Sequence, residues 1–511
     1  VLEFVSGSWV PTALSVSKIG WSVDGNALTS PDSNFVGTTD NADLEFRIRG
    51  VFSGLLDSAY QETYFGYRAG AAAVHSGTLA LYNTGIGYDA LYSNDHTQYN
   101  IAIGTNALYS QSYTLGGVLP TYNVAIGYNA LYSTVPTAII SGTGNVGVGA
   151  YSLSANTIGT GNIAIGAYAS KSGTSANYTV AIGDAALQNN NANYNVGVGG
   201  YALQFTTTGS GNQAIGCLAL NANTIGANNV AIGSNSLQSS VGASNNVAIG
   251  YQTLFGSVTQ VNNIAIGSHA AYELKAGGGN NVAVGHQAMA MATTGVYNTA
   301  VGEGALFTDS LSGTGNTCLG ASADQAIGAG NFTNSTALGY MATITQSNNI
   351  VLGNSSITAI RGQVQSIMAL SDRRFKSDIQ ENVPGLEFIT KLRPVTYRFE
   401  ARKYEHFVGR PDSLIEKIKE AYDKAEQVVH SGFIAQEVEK TATEINYNFS
   451  GLHKPENDGD TYALGYADFV TPLVKSVQEL NAKSVSQQQI IETLMQRMEQ
   501  MQKELDALKN K

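Results

Sequence analysis

Asn229-Val230-Ala231-Ile232-Gly233, Asn246-Val247-Ala248-Ile249-Gly250 and Asn263-Ile264-Ala265-Ile266-Gly267 stand 17 residues apart and repeat one phrase. Asparagine, aliphatic, small residue, aliphatic, glycine: the same order runs from Tyr64 to Gly353, mostly in steps of 16 to 18 residues between closing glycines. A period of that length, with no heptads and no helix–turn–helix pattern, marks a solenoid whose coils bury apolar surface only by stacking on their neighbours.

Within the phrase the two aliphatics lie two apart and so share one face of a strand. They are expected to fill the interior of the coil, with the small residue facing out and permitting close lateral packing. The closing glycine allows a corner at positive φ. Asparagine recurring at one corner of each coil would stack its amides about 4.8 Å apart, close enough for a hydrogen-bonded ladder. Insertions rich in Tyr, Thr, Ser, Asn and Gly become outward loops, and Tyr82, Tyr92, Tyr109 and Tyr132 are placed to rim the shaft.

Composition divides the chain in two. Of 57 glycines, 51 precede Ser371, whereas 20 of the 27 lysines and arginines follow from it. The net charge of −11 leaves no basic patch for nucleic acid. No run of about 20 apolar residues offers a membrane span, and the residues after Val1 lack the basic, apolar and small-residue order of a secretory leader. No cofactor and no metal are called for. Cys217 and Cys318 fall six coils apart, roughly 29 Å at one strand spacing per coil. That is too far for an intrachain disulfide, so both are read as small buried fillers, with interchain bonding as the alternative.

Four segments follow. Residues 1–60, with Trp9, Trp21, Pro31 and the alternating Leu44-Glu45-Phe46-Arg47-Ile48-Arg49, read as a β-rich cap or adaptor. The repeat shaft occupies 61–355, a neck 356–370, and a charged α+β region 371–511 that is helical from 467. In that helix Leu473, Val477, Leu480, Ser484, Gln487, Ile491, Leu494, Met498, Met501, Leu505 and Leu508 alternate steps of four and three. This is an a/d seam over five heptads, with Ser484 and Gln487 as a polar layer that sets register. The competing reading is a single amphipathic helix lying on its own domain. Pro411, Leu414-Ile415, Ile418 and Tyr422 predict a further, inserted amphipathic helix over 411–428.

At the neck stands Ser371-Asp372-Arg373-Arg374-Phe375-Lys376-Ser377-Asp378-Ile379, followed by Leu392-Arg393-Pro394-Val395-Thr396-Tyr397, Gly432-Phe433-Ile434-Ala435-Gln436-Glu437-Val438 and Tyr466-Ala467-Asp468-Phe469. In that order the motifs resemble the C-terminal intramolecular chaperone domain of phage endosialidases and tail fibres, across almost all of 371–511. The resemblance implies a domain that holds three chains together while their shafts wind, then removes itself with a serine–lysine dyad. Carried over by position, the dyad is Ser371 and Lys376 and the cut falls between Leu370 and Ser371. A serine hydroxyl becomes a nucleophile when a base takes its proton, and desolvation or neighbouring cations such as Arg373 and Arg374 adapt a lysine to that task. The plainer reading is a charged turn in which Ser371-Asp372 caps a helix and Lys376 is solvated. Gln436 and Glu437 are assigned to structure.

The shaft phrases, Asn123-Val124-Ala125-Ile126-Gly127 among them, resemble the head repeats of trimeric autotransporter adhesins, although the coils here are a few residues longer. The fold expected is therefore mainly β: a trimeric parallel β-solenoid (β-roll) shaft with an α+β chaperone domain ending in a trimeric coiled coil, the alanines facing neighbouring chains. Long in-register β pairing is slow to form and exposes edges, which a removable trimeriser would address.

The function expected is that of a homotrimeric tail-fibre or surface-adhesin shaft matured by autoproteolysis. Its place is extracellular, on a virion or a bacterial surface. Its partners are two further copies of itself and a cell-surface glycan or protein receptor met by the tyrosine-rich loops or the cap. Against it stands a glycan-degrading tailspike matured by the same chaperone. Such an enzyme needs paired carboxylates about 5 to 9.5 Å apart, and Asp184, Glu273, Glu303, Asp309 and Asp324 are sparse for that purpose, with Glu303 and Asp324 the pair to consider. A calcium- or ice-binding repeat would show periodic aspartates or threonine ranks, and neither is present.

Overall fold

The structure is a computed structural model of the 511-residue chain. It describes residues 2–5, 8–11, 36–38, 40, 42–75, 80–113, 117–275, 277–307, 313–326, 331–361, 363 and 369–509. Trp21, Pro31 and Asp309 lie outside them. The chain forms two compact units, Val1–Gly211 and Asn212–Lys511. Both are built on a parallel β-solenoid, about 16 turns in all.

In the first unit Leu44–Ile48, Val51–Asp57 and Glu62–Phe65 make an antiparallel meander, and its last strand then pairs in parallel with Thr84–Ile86. From there the three-residue strands stack without slippage, Ile101 beside Val124 and Val124 beside Val146. The second unit repeats this from Gln213–Ile215 to Ile350–Leu352, with Ala231 opposite Ala248 and Ala248 opposite Ala265. At the start of the meander's last strand Glu62 is buried, accepting from the Tyr64 hydroxyl at 2.8 Å and Asn83 Nδ2 at 3.2 Å. Burial pushes its carboxyl up to about 7.

The strand faces the opposite way from the expectation. Alanine points into the coil and the aliphatics point out: Ala231 is 0 % exposed and Ile232 is 37 %. The reason is width. Most coils are closed by a turn whose leucine, such as Leu220, Leu237 or Leu254, is fully buried, so only a small side chain fits opposite it. These leucines adopt left-handed backbone, Leu237 at φ 49. Their signal is a leucine four residues after the closing glycine with a small residue before it, Ala107-Leu108 after Gly104 or Ser236-Leu237 after Gly233.

The asparagines do form a ladder, and it runs inside. Asn246 Nδ2 donates to Asn229 Oδ1 at 3.1 Å and to Gln260 O at 2.9 Å, while Asn246 N also reaches Asn229 Oδ1. Asn263 and Asn281 continue it, so these buried amides find partners along the stack. Gly233 shows why the phrase ends in glycine. Its φ is +127, and a Cβ there would stand 2.4 Å from Gly250 O.

On the surface Tyr82, Tyr99 and Tyr122 stack with ring centroids 4.9 and 5.1 Å apart, and Tyr92, Tyr109 and Tyr132 likewise. The two cysteines part company. Cys318 is buried at an alanine position, but Cys217 is exposed, because it follows Gly216 at the outward position taken elsewhere by Ser234 and Tyr251.

Beyond the shaft a small α+β core forms from Phe388, Val438, Ala442, Phe449 and Phe469. Val395–Tyr397 pairs with His430–Gly432, and Leu452–His453 with Ala463–Leu464. The inserted segment is not one helix but two, Asp412–Lys417 and Lys419–Ala425, broken where Ile418 leaves helical backbone (φ −125, ψ 28). With Ala401–Phe407 they close a second core on Ala401, Ile415 and Tyr422. The chain then enters the helix Val470–Lys509. Among the described residues no helix is long and apolar enough to cross a membrane.

Candidate active site

Ser371 and Lys376 are joined by a short turn. Asp372 caps it, its carboxylate accepting from Arg374 N at 2.8 Å, and Lys376 N returns to Arg373 O at 3.1 Å. The turn carries the side chain of residue 376 back over residue 371, and Lys376 Nζ lies 2.7 Å from Ser371 Oγ. Both are exposed, as is Leu370 beside them.

Arg374, expected to press on the lysine, instead closes on Asp372 with Nε at 3.0 Å and Nη2 at 2.6 Å from Oδ2. That pairing holds the Asp372 carboxyl below its usual range and raises the guanidinium. Arg373 remains exposed. Capping and the serine–lysine contact thus coexist in one turn. A hydroxyl beside an amine can be activated for attack on a carbonyl once water is withdrawn from the pair.

The seam positions Leu473, Val477, Leu480, Ile491, Leu494, Met498, Met501, Leu505 and Leu508 all lie on Val470–Lys509 and are 45 to 71 % exposed. Only the start of this helix is held by its own domain, with Glu479 Oε2 accepting from Leu386 N at 2.8 Å. Glu437 pairs with Arg393, Nε to Oε2 at 3.0 Å, which lowers its carboxyl, while Gln436 lines an open groove of about 840 Å³ with Tyr397, Phe433 and Tyr462.

Glu303 and Asp324 line one cavity of about 330 Å³, with Tyr340, Arg410 and Lys417. Two features escaped the sequence. One is the double rank of outward aliphatics. The other is Arg410, a buried arginine just before the inserted helices that reaches the turn at Met341, Ala342 and Thr343. A contact across 67 residues leaves no local pattern to read.

No curated protein matches the chain. Residues 371–446 match the family described as chaperone of endosialidase, and so a chaperone region of the kind its neck and tail motifs resemble stands behind a β-solenoid shaft.

Proposed function

We propose that this chain is a homotrimeric tail-fibre or surface-adhesin shaft whose C-terminal region aligns three copies and is then severed from the shaft backbone by self-cleavage between Leu370 and Ser371. One observation carries the reading: a single chain leaves two long apolar surfaces uncovered, the Val/Ile ranks of the coils and the seam of the terminal helix. Exposed apolar patches on this scale mark association sites. Three copies would bury the ranks against one another and the seams in a coiled coil.

In the cleavage step Lys376 takes the Ser371 hydroxyl proton, and Oγ attacks the Leu370 carbonyl carbon. The carbon–nitrogen bond breaks as the proton passes to the departing amine, leaving an ester between Leu370 and Ser371 Oγ. Water hydrolyses that ester, giving a carboxylate at Leu370 and a free amino terminus at Ser371. On the isolated chain the dyad is open to water, so the step belongs to the assembled state, where other chains can cover it.

Intact mass measurement tests this directly. A fragment starting at Ser371 is expected from the wild type and only the full-length mass from Ser371→Ala. Sedimentation should give three chains, and a stable monomer without that fragment would end the proposal. The shared cavity of Glu303 and Asp324 favours, as a second reading, a glycan-degrading spike. Release of reducing sugar from capsular glycans, lost in Glu303→Gln, would decide for it.

A further inference from the structure

The last coils of the shaft are gripped by the C-terminal region, and the grip does not pass through the neck. Arg410 Nη2 donates to Met341 O at 3.1 Å, Ala342 O at 3.3 Å and Thr343 Oγ1 at 2.7 Å. Thr345 Oγ1 donates to Asp460 Oδ1 at 3.3 Å, and Asn457 Nδ2 to Thr345 O at 3.3 Å. Ser355 gives its hydroxyl to Glu405 Oε1 at 2.5 Å and its backbone N–H to the same oxygen at 3.3 Å.

Arg410 is only 9 % exposed and Glu405 1 %. With each other they are weak partners, Nε and Oε2 standing 4.0 Å apart and neither atom hydrogen-bonded. A buried guanidinium without acceptors is costly, and here the acceptors come from the shaft. They converge only on a wound coil: Met341 is left-handed at φ 56, and Thr343–Ile344 is a strand paired with Asp324–Gln325. A terminal coil has no successor to accept its outward N–H groups, and Glu405 takes that of Ser355.

We propose that the helical segment Ala401–Ala425, with residues 453–460, is a docking surface for the finished last coil of this chain's own shaft. Arg410 reads the coil, and the dock retains the C-terminal region after the backbone between them is cut. The docking stands apart from self-cleavage; only its consequence for natural release rests on that reading.

The test severs the chain independently of the dyad. A site-specific protease sequence replaces residues 364–368 in the Ser371→Ala chain, and the cut protein is run on a native sizing column and a denaturing gel. Both fragments should co-elute. Thr343→Val combined with Thr345→Val, and separately Arg410→Met, should weaken retention about ten- to a hundredfold for each charge-assisted bond lost.

The threonine pair changes only shaft hydroxyls, so it carries the test if Arg410→Met does not fold. Separation of the unmutated fragments, or retention unchanged in the threonine variant, overturns the proposal. Self-cleavage is read separately, on the wild type without the inserted site.

Discussion

Lys376 places its Nζ 2.7 Å from the Ser371 hydroxyl, across five residues of chain. Arg374, nearer in sequence, is held on Asp372 and takes no part in that contact. The turn therefore gives two of its three cations separate places: Arg374 shapes it and Lys376 faces the serine. Lys376→Ala is expected to slow the appearance of the Ser371 fragment by about a hundredfold or more, the scale of a lost general base. Arg374→Ala should change the rate little, and equal losses in a gel time course would refute this division of roles.

The orientation of the coil strand separates folding from association. Ala231→Val forces extra volume into a filled interior and should cost about 1–3 kcal/mol, seen as a lower melting temperature at any protein concentration. Ile232→Ser removes an outward side chain, so the circular dichroism of the coil should persist while sedimentation shifts towards fewer chains.

Gly233→Ala meets both the backbone of Gly250 and a φ of +127. It is expected to cost more than about 3 kcal/mol. Gly200→Ala has open space around the new methyl and no positive φ, and thermal melts should hardly distinguish it from wild type.

Glu62 titrates near 7 when folded, against 4.5 for the free side chain. A raised value means the folded chain holds the extra proton between these limits, so stability is full below about 4.5 and falls as pH rises through 7. The loss is on the order of 3 kcal/mol. Glu62→Gln keeps an acceptor for Tyr64 and Asn83 without the charge. Its melting temperature should exceed that of wild type at pH 8 and match it at pH 5.

Leu494→Asp with Met498→Asp puts charge into the uncovered seam, far from the Phe388 core. Sedimentation should report loss of the assembled species, with the α+β core still folded by near-ultraviolet circular dichroism. A trimer surviving both changes would place association elsewhere.

Much of the architecture could be read from residue order. The period, the Asn229 to Asn281 ladder, the closing glycines and the spacing of Leu473 to Leu508 are local, because each depends on a hydrogen bond, a φ angle or a helical pitch that a short segment dictates. Two things were decided only by the tertiary structure. Period-two alternation defines two strand faces but not which is inside; the narrow coil, already occupied by Leu237, chose Ala231 over Ile232. The meeting of Arg410 with Met341 to Thr343 depends on a cavity wall that exists only once the last coil is wound, and its buried guanidinium has no stable place until that coil supplies its acceptors.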